Sequence, residues 1–122
     1  MKVIIIIDNF IDEREFRNYC AYWLSKQGFK NIIIDDARLS DSDPINNNDF
    51  TATKNNIKYT IQTFLNKDIT EKEVNETIED MLKEKVDNGI IITNKNVSDK
   101  FREYAKEKSI EIIDKEEFTE EL

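Results

Sequence analysis

Asp49-Phe50-Thr51-Ala52-Thr53-Lys54-Asn55-Asn56-Ile57-Lys58-Tyr59-Thr60-Ile61-Gln62-Thr63-Phe64 is the stretch on which the fold turns. Two runs rich in β-branched and aromatic residues, 49–53 and 57–64, flank Lys54-Asn55-Asn56. An Asn-Asn pair tolerates positive φ, so residues 55–56 suit a two-residue hairpin loop. Partner numbers across such a hairpin sum to 111, which sets Asp49 opposite Gln62, Thr51 opposite Thr60 and Thr53 opposite Lys58. Strand alternation then puts Asp49, Thr51, Thr53, Lys58, Thr60, Gln62 and Phe64 on one face, and Phe50, Ala52, Tyr59 and Ile61 on an apolar core face. A carboxylate beside an amide offers oxygens to a hard cation such as Mg2+. The plainer alternative is a polar strand face that meets solvent.

Upstream, Val3-Ile4-Ile5-Ile6-Ile7 is a continuous β-branched run and reads as a strand buried on both faces. Asp12 with Glu15 three residues on is an Asp variant of the capping box. It opens a helix whose inward stripe is Phe16, Tyr19, Cys20, Trp23 and Leu24, stopped by Gly28. Residues 29–34 read as a strand and 35–48 as a polar loop. Downstream of the hairpin, Thr70 and Glu73 form a capping box for a helix with Val74, Ile78, Met81, Leu82 and Val86 on one face, ended by Asp87-Asn88-Gly89. Residues 90–93 form a strand, Ser98 caps a helix through Lys108, residues 110–113 form another strand, and a short acidic helix follows. The order βαβ, hairpin, αβ, αβα predicts one α/β domain over residues 1–122. A hairpin inside α/β alternation forces a mixed sheet.

Composition removes chemistry. The chain has no histidine, which excludes Ser-His-Asp and Cys-His relays and His-ligated metals. Its single cysteine, Cys20, excludes an internal disulfide and a four-thiolate zinc site, and suits a reducing compartment. A net charge of −8 argues against a broad basic nucleic-acid surface, though not against a local patch. The net charge is 0 over residues 1–38, −1 over 39–66, −3 over 67–98 and −4 over 99–122, so DNA would meet the N-terminal half. No apolar run approaches a membrane span, and the chain reads as a soluble cytoplasmic protein with no membrane partner.

Asn48-Asp49-Phe50-Thr51-Ala52 followed by Lys58-Tyr59-Thr60-Ile61-Gln62-Thr63-Phe64 resembles the core of the Mrr-like restriction endonucleases, a branch of the PD-(D/E)XK nucleases with the pattern D-G-G-x-D, hairpin, Q-x-K. The helix from Phe16 to Gly28-Phe29 resembles the family's first helix and its closing Gly-aromatic pair. The stretch from Gly89-Ile90-Ile91-Ile92-Thr93-Asn94 to Ile110-Glu111-Ile112-Ile113-Asp114 is similar to its C-terminal segment. The likeness covers residues 13–122. It implies a restriction-endonuclease-like three-layer fold, a central mixed β-sheet containing the hairpin and flanked by helices. It also implies a Mg2+ site in which Asp49 and Gln62 are the ligands that activate water for phosphodiester hydrolysis, beside a lysine two residues after the Gln.

The lysine position holds Phe64, the family's glycines fall on Asn46 and Asn47, and its frequent helix-one Glu falls on Arg17. Lys58 lies about 13 Å from Gln62 along the strand, outside easy reach. Lys67 follows the strand end and can fold back. Arg17 either supplies the lost charge or pairs with Asp49 and closes the site. Two function classes follow: a non-cleaving module that binds DNA or a protein partner, which the missing lysine, missing glycines and acidic charge favour, and an active Mg2+-dependent endonuclease. Cutting both strands would call for a homodimer. An acidic DNA mimic has no motif behind it. Asp8-Asn9 invites comparison with phosphoacceptor receivers, but Asp49 opens its strand where a receiver needs an Asp ending one. Tyr19, Trp23 and Cys20 read as core, and Tyr22 as exposed.

Overall fold

The computed structural model describes residues 12–34 and 49–120; the expected strand at 3–7, Asp8-Asn9, the 35–48 loop and the Asn46-Asn47 departure lie outside the described residues. Helix α1, Glu13–Lys26, begins where Asp12 accepts a hydrogen bond from the Glu15 amide at 2.8 Å. It ends before Gly28, whose φ of 95° is left-handed backbone that a side chain rarely adopts. Strand β1, Lys30–Ile33, is followed by β2, Asp49–Lys54, and β3, Ile57–Phe64.

Asn55 and Asn56 both take positive φ, 53° and 64°, so the hairpin turns on the two residues the sequence marks. The register runs from Asp49↔Gln62 to Lys54↔Ile57, as expected from the loop position. Helix α2, Glu71–Glu84, carries the full Thr70/Glu73 capping box. Strand β4, Asn88–Thr93, helix α3, Asp99–Lys106, strand β5, Ile110–Ile113, and helix α4, Lys115–Glu120, complete the described chain.

The strands form one mixed sheet in the order β1-β2-β3-β4-β5. The β1/β2 and β2/β3 pairs are antiparallel; β3/β4 and β4/β5 are parallel. Helix α1 covers one face, where Phe16, Cys20 and Leu24 meet Phe50, Ala52 and Ile61. Helices α2 and α3 cover the other, where Val74, Met81 and Ala105 meet Phe64, Ile91 and Ile112. Tyr19 and Trp23 pack against the first cluster and Tyr22 is exposed, as their positions on α1 predict.

Two expectations are corrected. Asp87-Asn88-Gly89 does not end α2: Lys85, in left-handed geometry at φ 57°, forms the cap, and Asn88 and Gly89 belong to β4. Gly89 is there for packing, because a Cβ would stand 3.0 Å from both Met81 Sδ and Thr77 Cγ2 of α2. The polar hairpin face is not a solvated face over its whole length. Helix α2 buries Thr60, Gln62 and Phe64 on it, since the apolar stripe of that helix has nowhere else to go.

Candidate functional site

Asp49 and Gln62 face each other at the open end of the hairpin, one at the start of β2 and the other near the end of β3. Their environments differ. Gln62 is buried, and its Oε1 accepts a hydrogen bond from Thr77 Oγ1 of α2 at 2.8 Å. The Thr77 hydroxyl also lies 3.0 Å from the Glu73 carbonyl oxygen, so one proton is shared between two acceptors. Thr77 in turn is held down by the close approach of α2 to Gly89.

Asp49 is half-buried and lines a cleft of about 240 Å3 between β2 and α2, together with Thr51, Lys58, Asp80 and Glu84. Asp80 and Glu84 are absent from the sequence reading because they lie on the polar side of an ordinary amphipathic pattern. Their i, i+4 spacing on α2 is the one signal that they share a face. Lys58 lines the same cleft as Asp49, and Gln62 is not part of that lining.

Phe64 occupies the position where the resemblance demands lysine, and it is 2% exposed, in the core under α2. Lys67 does fold back: its Nζ lies 5.4 Å from the Phe64 ring centroid and 3.3 Å from Glu73 Oε2. The Glu73 carboxylate also accepts from the Thr70 amide at 2.7 Å and the Thr70 hydroxyl at 2.6 Å. Burial would push its carboxyl up, but the bonds from Thr70 and Lys67 outweigh this and hold it below the ordinary value of 4.5. From the other side of the sheet Glu13, in the first turn of α1, accepts from the Leu65 amide at 3.2 Å. Burial raises the Glu13 carboxyl, against that bond and the nearby charge of Lys67.

The Glu73 arrangement carries a pH signature. A carboxyl whose folded pKa is depressed contributes stability that is complete above its unfolded pKa and disappears as pH falls through the folded value. Glu73→Gln is therefore expected to lower stability by about 1–2 kcal/mol at pH 7, with the gap to the wild type closing below about pH 4. Urea denaturation of both proteins at pH 7 and pH 3.5 checks this; an equal gap at both pH values would contradict it.

Arg17 is buried on α1, and its Nε and Nη2 both donate to Asn18 Oδ1, at 3.3 and 3.1 Å. It does not point to solvent. Its helix lies across the sheet from the face carrying Asp49 and Gln62. The Gln62 oxygen accepts from Thr77, and among the described residues no group of three carboxylate or thiol side chains converges on one point. No helix among the described residues is long and apolar enough to cross a membrane.

The Mrr_cat restriction endonuclease family model matches residues 8–122, which extends the likeness upstream of α1. No curated protein and no solved structure gives a match. Nucleases of this family typically use divalent metal ions. The sheet supports the same relationship: its antiparallel hairpin, with Asp49 registered against Gln62, runs into a parallel β3-β4-β5 half. A match across that length, on a fold of that kind, means that the chain belongs to the Mrr_cat restriction endonuclease family.

Proposed function

We propose that this nuclease-lineage protein binds DNA without hydrolysing it. The observation that carries the reading is position 64. A buried phenylalanine ring stands where the pattern has lysine, and it can neither donate a proton nor neutralise charge on a phosphate. One feature supports it: the Gln62 oxygen is engaged by Thr77.

The test is incubation of supercoiled plasmid with the protein and Mg2+ or Mn2+, beside Asp49→Ala. The expected result is intact plasmid with both proteins and a melting temperature that neither metal raises. Cleavage by the wild type that Asp49→Ala abolishes would overturn the reading.

One observation favours the active alternative. The Lys67 ammonium above the Phe64 ring brings a positive charge toward the vacated lysine position. Its pairing with buried Glu73 weighs against this, because the charge is already spent on a carboxylate. If plasmid is cut, Lys67→Gln tells whether that charge takes part.

A further inference from the structure

The hairpin end of the sheet departs from the charge of the rest of the molecule. Residues 26–34 and 50–60 contain four lysines, Lys26, Lys30, Lys54 and Lys58, and no acid, in a chain of net charge −8. The sheet brings them together. Lys30 of β1 is registered against Thr53 of β2, and Thr53 against Lys58 of β3, so the three side chains stand in a row on one face. Strand spacing sets Lys30 and Lys58 about 10 Å apart with the Thr53 hydroxyl between them. Both are exposed, and neither forms an ion pair with any described residue. On the other side of the hairpin, Lys54 lies over the Phe29 ring at 5.2 Å, and Lys26 over Tyr22 at 5.3 Å. Three exposed amides, Asn31, Asn55 and Asn56, stand among these lysines and can donate to phosphate oxygens.

The row also has a direction. Thr53 lies four residues from Asp49 on β2, about 13 Å, or about four phosphates of axial rise along one DNA strand. Lys58 lines the cleft that Asp49 opens onto. Asp49, Asp80 and Glu84 line the cleft beyond Lys58, and their charge keeps a polyanion at the hairpin-tip end of the row.

We propose that Lys30, Thr53 and Lys58 form a docking row for the phosphate backbone of duplex DNA at the hairpin-tip end of the sheet face that also carries Asp49. The proposal rests on the DNA-binding reading above and adds where the duplex lies.

The test is fluorescence anisotropy of a labelled 20-base-pair duplex at about 50–200 mM salt, a range over which phosphate contacts dominate affinity. The double variant Lys30→Gln/Lys58→Gln is compared with Lys72→Gln/Lys100→Gln, which removes the same charge from exposed positions on α2 and α3. The patch variant is expected to bind about 10- to 60-fold more weakly at 0.1 M salt, with a log–log salt slope shallower by about 1.8, while the control stays within about threefold of the wild type. Equal weakening of the two doubles, or no weakening of the patch variant, overturns the patch and leaves DNA binding standing. A wild type that binds no duplex even at 50 mM overturns the DNA-binding reading together with the patch. If the patch double melts early, Lys30→Gln and Lys58→Gln singly carry the same test, each with an expected slope change of about 0.9.

Discussion

Phe64→Lys, which rebuilds the family's Q-x-K spacing, is expected to lower stability by about 2–4 kcal/mol and to leave plasmid uncut. The ring is buried among Val74, Ile91 and Ile112, so its loss removes apolar packing of a kind that ordinarily costs about 3–5 kcal/mol when a phenylalanine is truncated to alanine. The lysine stem refills part of that volume. Its ammonium must either stay in an apolar core, at a high desolvation cost, or lean out toward Glu73, where Lys67 already sits. Gln62 would remain bonded to Thr77 in either case. Urea denaturation reads the stability change, and the plasmid assay with Mn2+ reads the chemistry. A variant as stable as the wild type that cuts DNA would mean that position 64 alone separates this chain from an active nuclease.

Arg102→Ala is expected to destabilise the protein by about 2–4 kcal/mol, with Arg102→Lys recovering less than half. From α3, Arg102 donates to the Ile112 carbonyl at 2.7 Å and to Glu117 Oε1 at 2.8 Å, and its Nη2 lies 2.8 Å from Asp114 Oδ1. Asp114 is 1% exposed, so the substitution leaves a buried carboxylate without its cation and an edge-strand carbonyl without its donor. Removing one partner of a buried pair costs about 3–5 kcal/mol. The lower figure here reflects the partly exposed guanidinium and the bonds Asp114 keeps from the Val97 and Glu116 amides. A lysine offers one point charge where the planar fork reaches three acceptors from β5 through Asp114 to α4. Chemical denaturation of the three proteins checks both figures; a loss under about 1 kcal/mol for the alanine variant would show that the network is only surface decoration.

Local chemistry was legible in the sequence wherever it is decided by a few neighbouring residues. The Asn55-Asn56 turn fixes the hairpin register, and with it the Asp49–Gln62 pair, because each positive-φ residue leaves only one way for the flanking strands to meet. The Asp12, Thr70 and Ser98 caps follow from side chains that reach amides within three residues of themselves. Gly89 was misread for the converse reason. A glycine near a helix end looks like a terminator, whereas its demand comes from Met81 and Thr77 packed against it.

What surrounds the site depended on contacts that no local pattern encodes. Alternation placed Gln62 and Phe64 on one face, but it could not say that α2 would cover that face and engage the Gln62 oxygen through Thr77, fifteen residues away. Nor could spacing reveal that Glu13 reaches the Leu65 amide across fifty-two residues, or that Lys67 settles over Phe64 against Glu73. The same limit governs charge. The −8 total is a property of the sequence, but the alignment of Lys30 with Lys58 exists only once β1 and β3 pair with the two sides of β2. Sequence by itself determined the hairpin register, the caps and the family, because these depend on short-range geometry and residue order. Tertiary structure decided which polar groups are engaged and where the basic strip lies, because burial and hydrogen-bond pairing depend on which elements pack together.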